Sequence, residues 1–520
     1  MSKFEHKTLD IDDLTGGIND YFSADKIQDN QWHYARNIYG YENSVISRNG
    51  SKWISIGSLS AAGSNVKGLG QIQNGSNNYN FACWDHQLFK LSGDTPQNVS
   101  ATRLKDNFNT SGGSGYIGWG VFPFSSVKNA VLCNGIQTPV RWDGTSAGVV
   151  NLSGSAPATS DQFCNFQNYG LLYDFDALKI YRSNLNDAND GYGANTAYVI
   201  PAQERGDIGS GMVQFGDELI ATTRRSVHKL TTTGVSTVPF TRREITHDIG
   251  NLSHRSMLAI DNGVLFMDYT GIYFYDGSNV ARASQNIQGT WDDLNQNKLI
   301  DSVAVNYKPK NWAVFAVPHG SGQATNNLLL AYDYLYSNPY EGKFVWWIFD
   351  NITAQAMGIF RNSSLVDEWW TGDNNQKLFI QDSGTNDAGS AFTQEGRSKA
   401  YDFKKPHLDK RLHECRYVLD ASGNWNLTAE TDIDMSDAAG NTKLLNLYAG
   451  GSLWGTFTWG VHKWATQGTI QPRRKFSPTV RGRFVQFRFK VSGVDENFRL
   501  YRYLPAVSYK NQRGRDVYSA

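Results

Sequence analysis

One pattern of hydrophobic and polar positions recurs along the chain: a short apolar strand, a tight polar turn, then a second strand ending in an aromatic residue and Asp or Gly. It occupies residues 79–91, 130–144, 171–181, 218–230, 264–277, 312–333 and 369–382. Anchored on Leu88, Val140, Leu178, Val227, Ile272, Leu329 and Leu378, successive copies lie 52, 38, 49, 45, 57 and 49 residues apart. Strand pairs repeating at roughly 40–50 residues predict a β-propeller, one sheet per repeat. Turn residues stand where hairpins need them, at Asn134-Gly135, Asp143-Gly144, Asn262-Gly263 and Asp276-Gly277, since these pairs accept positive φ. In the fifth copy Val264 and Phe266 alternate with Leu265 and Met267, then Ile272 and Phe274 with Tyr273 and Tyr275. A strand apolar on both faces is expected to be covered on both.

The predicted class is all-β: a propeller of six or seven blades over residues 61–390, followed by an antiparallel β-sandwich or barrel over 391–520. Residues 1–60 form an N-terminal segment, an arm or strands completing the ring. Within it Asp29-Asn30-Gln31 and Ala35-Arg36-Asn37 predict one short helical turn, and NSVISRNG, ending at Gly50, predicts a strand. The C-terminal boundary is marked by charge. From Arg397 to Ala520 there are 21 Lys/Arg against 11 Asp/Glu, an excess of ten positive charges in a chain that balances 49 against 49. Its strands alternate at period two, with Phe484 and Gln486 opposite in sense to Val485, Phe487 and Phe489.

Composition supports strands and turns: 50 glycines, 13% aromatic residues and 19% charged residues suit hairpins and packed rings. No apolar run reaches the roughly 18–20 residues of a membrane helix, and the opening MSKFEHKTLDIDDL lacks a signal-peptide layout. Cys83, Cys133, Cys164 and Cys415 are scattered, so buried free thiols assembled in a reducing cytoplasm are expected.

Several motifs invite chemistry. Residues 144–148 match G-x-S-x-G, but lie between apolar strands rather than on a strand-to-helix elbow. Asp432/Asp434/Asp437 and Asp187/Asn189/Asp190 lack calcium-loop spacing and read as turn chemistry. No metal, cofactor or catalytic residue is expected. The basic run Arg473-Arg474-Lys475, continued by Arg481, Arg483, Arg488 and Lys490, suits non-specific contact with a phosphate backbone. Its competing reading is a solvated strand edge kept from aggregating by charge.

A series of short stretches, taken in order, carries a family resemblance. These are GGIND at 16–20, DNQ at 29–31 with Ala35 and Asn37, Arg48 and Gly50; VLCNGIQTPVRWDG at 131–144; Phe215-Gly216-Asp217 and Ser226-Val227-His228; Asp248-Ile249-Gly250, Ser253-His254-Arg255-Ser256, Asp261-Asn262-Gly263 and 271–277. Lys410-Arg411, Tyr417-Val418, GNWNLT at 423–428 and 482–486 complete it. The chain resembles the tail nozzle (hub) proteins of short-tailed bacteriophages, including their packaged-DNA stabilisation relatives. The resemblance implies a non-enzymatic structural protein of the virion tail, assembled in the host cytoplasm. Copies, six as a homohexamer, would ring a channel below portal and adaptor, retain packaged double-stranded DNA and conduct it during ejection, with no membrane insertion by this chain. A conduit must let DNA slide, so Arg473, Arg474, Lys475, Arg481 and Arg483 are expected in local rings or at subunit contacts. Larger nozzle proteins carry inserted tip domains for which this chain has little room. Two other readings stand beside this one. A soluble carbohydrate-acting or carbohydrate-binding propeller predicts carboxylates and Trp converging on the axis, and a distal hub of a long tail uses a similar ring.

Overall fold

Apolar runs that alternate with tight turns have nowhere to bury both faces except between neighbouring sheets. The computed structural model follows that rule. It describes residues 7–57, 65–93, 99–106, 108, 116–202, 204–420, 422–436, 441–448, 469–475 and 480–510. The protein is all-β, and its described strands make nine sheets, mostly four-stranded and antiparallel. Among the described residues, helix is limited to the five residues Gln288–Asp292 and a few 3-10 turns.

Seven sheets, of four or five strands, each contain one of the seven hairpins read from the sequence as their second and third strands. The innermost strands are Val66–Asn74, Gly118–Phe124, Gln162–Phe166, Gly209–Phe215, Leu258–Ile260, Val303–Tyr307 and Ala356–Arg361. Each sheet packs on the next through these strands, and Ala356–Arg361 of the seventh returns to Val66–Asn74 of the first, so the arrangement is a closed, propeller-like ring. The fifth sheet shows the packing logic. Val264, Phe266 and Tyr275 share a core with Ile220 and Val227 of the fourth sheet, while Leu265, Met267 and Phe274 face the core that holds the sixth.

The ring closes on a strand from far away in sequence. Ser51–Ile54 is the outer strand of the seventh sheet, antiparallel to Leu378–Gln381 with Leu378 opposite Ile54. Gly50 makes the approach possible: a Cβ there would lie 2.0 Å from the Asn386 carbonyl oxygen, while its N–H donates to the Gly384 carbonyl at 2.8 Å.

The remaining two sheets face each other. One has Asp409–Asp420 and Arg499–Lys510 at its centre, with Lys7–Thr8, Ile38–Tyr41 and Ser44–Ser47 on the Arg499–Lys510 side. The other runs Trp32–Arg36, Gln394–Ser398, Val485–Val491, Asn426–Ile433, Asn441–Asn446. Val485, Phe487 and Phe489 are buried as their alternation requires, and Tyr417 meets Phe489 edge-on at 5.8 Å. Tyr401 and Tyr503 hydroxyls bond across the same core at 2.8 Å. The helical turn expected around residues 29–37 is not there: Trp32–Arg36 is a strand on Gln394–Ser398, because Trp32 and Ala35 bury into this interface and outweigh the local capping signal. The N-terminal segment is thus shared between the ring and the two facing sheets.

A polar latch joins the parts. Arg48, nearly fully buried, pairs with Asp387 at 2.6 Å, donates to the Asn37 side chain at 2.7 Å and to the Asp350 carbonyl at 3.1 Å, and lies over the Phe392 ring.

Candidate functional site

The basic run lands on one strand edge. Arg473–Lys475 pairs antiparallel with Asp409–Asp420, placing Lys475 opposite Glu414, Arg474 opposite Cys415 and Arg473 opposite Arg416; the side chains of Arg473 and Arg474 lie outside the described residues. Arg481 pairs with Arg411 on the same strand. Lys475, Arg481 and Arg483 are exposed, and Arg483 reaches Asp409 at 3.9 Å. Lys410 props up this edge. Its buried ammonium donates to the carbonyls of Lys405 and Arg483, both at 2.6 Å, and burial pulls its pKa down to about 8. Arg488 does not extend the surface. It sits between Glu395 (2.5 Å) and Glu430 (3.3 Å), and beside it Arg397 pairs with Asp432 at 3.0 Å. The sheet that holds Val485–Val491 therefore pairs Arg397 and Arg488 internally, and the exposed basic residues Lys475 and Arg481 belong to the sheet built on Asp409–Asp420.

Side chains from the entries to several sheets meet between the innermost strands. The turn His254–Ser256, capped by Ser253, projects inward just before the fifth sheet. The Arg255 guanidinium lies 3.2 Å from the Tyr116 ring centre and donates to the carbonyls of Gln355 (2.8 Å) and Asp301 (2.6 Å). Lys67 lies over the same tyrosine ring at 4.5 Å. This crossing leaves two small cavities, about 220 Å³ beside Tyr116, Asp161, Asp176, His254 and Asp301, and about 170 Å³ beside Lys67, Trp119, Gln162 and Arg255. The innermost strands begin at this mouth, so loops from several sheets converge on it.

Burial next to Asp174 and Asp176 pushes the Asp161 carboxyl up to about 7, against the hydrogen bond it accepts from Phe175 N–H at 2.8 Å. Its folded pKa exceeds the ordinary 3.8. The stabilisation it gives is therefore complete below that value and is lost as pH rises through about 7. Asp161→Asn, neutral throughout, should gain about 1–3 kcal/mol on the parent between roughly pH 5 and 8, read from urea midpoints of the two proteins. A pH-independent difference would contradict this.

Other candidates resolve into turn chemistry. Ser146 donates to Asp143 at 2.7 Å, and the same carboxylate takes the N–H groups of Thr145 and Ser146, so the G-x-S-x-G serine belongs to an Asx turn. Asp187 accepts from Asn189 N–H, and Asp434 from the N–H groups of Arg483 and Phe484; Asp437 lies outside the described residues. Among the described residues no three His, Cys, Asp or Glu side chains gather as metal ligands, and no helix is long and apolar enough to cross a membrane. Cys83, Cys133, Cys164 and Cys415 are free thiols. A groove of about 630 Å³ at the ring seam, between the first and seventh sheets, carries Asn77, Asn78, Tyr79, Glu368 and Trp370.

The sequence reading assigned no role to Asp161, and Arg48, His254 and Arg255 entered it only as part of the family resemblance. A polar Ser-His-Arg-Ser stretch directly before an apolar strand was the one signal for the axis. For Asp161 there was none, because its partners come from a turn it only meets in the folded ring.

No family model matches the chain, and no curated protein matches it. Among solved structures, a chain from a crystal structure of the mitotic checkpoint complex aligns with a TM-score of 0.38 at 13% identity, over 60% of this chain and 88% of that one. A computationally designed protein aligns at 0.35 and 8% identity, over 64% of this chain and 99% of the other.

Proposed function

We propose that this chain is a structural protein of a phage tail, a nozzle or hub subunit built as a seven-bladed β-propeller with an appended β-sandwich. About six copies would form a ring below portal and adaptor, retain packaged DNA and conduct it during ejection, without enzymatic activity. The observation that carries this reading is the exposed basic edge. With Arg255 stacked on Tyr116 between the innermost strands, we place the duplex path between subunits rather than through one ring. There Lys475, Arg481 and Arg483, on a strand edge at the surface, are placed to meet phosphate without reading bases.

Fractionated particles test the assignment: about six copies per virion are expected, and absence from particles would overturn it. The role of the basic edge is tested by replacing Lys475, Arg481 and Arg483 together with alanine and measuring duplex binding against salt. For every phosphate the variant no longer neutralises, the slope of log affinity against log salt should flatten by about 0.9, so an unchanged slope would remove this edge from the DNA path. A second reading, carbohydrate binding, is favoured by the seam groove, where amides and a carboxylate stand near aromatic rings. Glycan binding abolished by Asn77→Ala would support it. A distal hub of a long tail is separated from a nozzle by the position of the protein in labelled particles.

A further inference from the structure

The cavity at the mouth of the axis is lined by three carboxylates, of which Asp301 pairs with Lys298 at 3.8 Å while Asp161 and Asp176 make no ion pair among the described residues. Asp161 and Asp176 come from the third sheet's entry and its turn, and Asp301 from the entry to the sixth. The charges acting on Asp161 are both carboxylates, Asp174 and Asp176. His254 forms part of the wall and is half-buried. It bonds to the Ile117 backbone in a way that favours its protonated form, hence as a donor, while its Nε2 has no partner among the described residues. In a neutral imidazole that donates through one nitrogen, the other is an acceptor. The rings of Tyr116 and Phe175 complete the wall, and Arg224 is the cationic side chain among its lining residues.

We propose that this cavity binds a small organic cation, an ammonium or guanidinium head group. Such a group brings several N–H donors to acceptors on different sides, and its positive charge suits both the carboxylates and the aromatic faces. A metal ion fits less well, since among the described residues no three His, Cys, Asp or Glu side chains come close enough to share one. The volume of about 220 Å³ takes a head group and a few carbons rather than a drug-sized ligand. The same chemistry reaches the site from a free amine or from a lysine or arginine side chain of a partner protein. The site does not depend on the tail assignment.

Calorimetric titration of the full chain decides the matter. The probes are putrescine and methylguanidine for the free source, and Nα-acetyl-lysine amide and Nα-acetyl-arginine amide for the side-chain source. At least one probe should bind with one-to-one stoichiometry and lose about tenfold or more in affinity on Asp161→Asn and on Asp176→Asn; the second position is exposed, so its replacement leaves folding intact. Binding by the free amines identifies a small-molecule site, and binding confined to the capped residues identifies a partner's side chain. Affinity should also rise about tenfold from pH 6 to 8 as Asp161 ionises near 7. The other groups at the cavity are Asp174, Asp176, Asp301, Arg224, His254 and Tyr116. Of these, burial holds His254 neutral (its pKa falls to about 3), and burial raises that of Tyr116, so neither titrates in that range. No heat with any of the four probes, or binding unchanged in both variants, would overturn the proposal.

Discussion

Arg48→Met should lower stability by about 3–5 kcal/mol, the range expected when one partner of a buried ion pair is removed. The missing cation leaves Asp387 buried beside Asn351 and Ser51, which bond to it at 3.0 and 3.3 Å but carry no charge. It also strips hydrogen bonds from the Asn37 side chain and the Asp350 carbonyl. Because Arg48 ties the N-terminal segment to residues after the sixth and seventh sheets, the variant should also unfold in two steps rather than one. Urea melts followed by tryptophan fluorescence and by circular dichroism would show the probes separating. The double variant Arg48→Met, Asp387→Leu should recover part of the loss, since the unpaired charge is gone. A loss under about 1 kcal/mol would mean that the pair is not what couples the parts.

Phe274→Asp should be more damaging still. Phe274 is 2% exposed, meets Phe344 edge-on at 6.3 Å and belongs to the core between the fifth and sixth sheets. Replacing it removes a ring worth about 3–5 kcal/mol and buries a carboxylate with no partner. The expected outcome is an insoluble or unfolded chain at physiological temperature, while Phe274→Leu loses only about 1–2 kcal/mol. Soluble yield and the far-ultraviolet spectrum distinguish the cases. A Phe274→Asp protein that melts with its parent would show that this face does not pack between two sheets.

The seven hairpins were legible because second and third strands are buried on both faces and so read as unbroken apolar runs, as in Trp312–Val317 and Leu328–Asp333. The first strands were not, since several carry glycine where backbones crowd near the axis. A Cβ at Gly118, for instance, would stand 2.2 Å from the Asp161 carbonyl oxygen. Outer strands such as Phe240–His247 are largely solvated and read as loop. The anchor Leu178 falls in a turn at φ +54, one residue before the strand Lys179–Leu185, rather than in it. The basic run was visible as composition, but its register on Asp409–Asp420 was not. Nor were the carboxylates that neutralise Arg488, because Glu395 and Glu430 reach it only across strands.

Ser47 accepts at its hydroxyl from Phe498 N–H, a partner 451 positions further on. On the ribosome, then, the hairpin Ile38–Tyr41 and Ser44–Ser47 is made long before the strand that pairs with it. Until Arg499–Lys510 is made, these hairpin edges present unpaired N–H and C=O groups, and pairings of such long range form slowly. A chain stopped before Arg499 would already hold both strands that close the ring, Ser51–Ile54 and Leu378–Gln381, but would carry a sticky edge on its N-terminal hairpin. Synthesis of Arg499–Lys510 is thus what withdraws that edge from the solvent, so the surface there is finished only once this distant strand has docked.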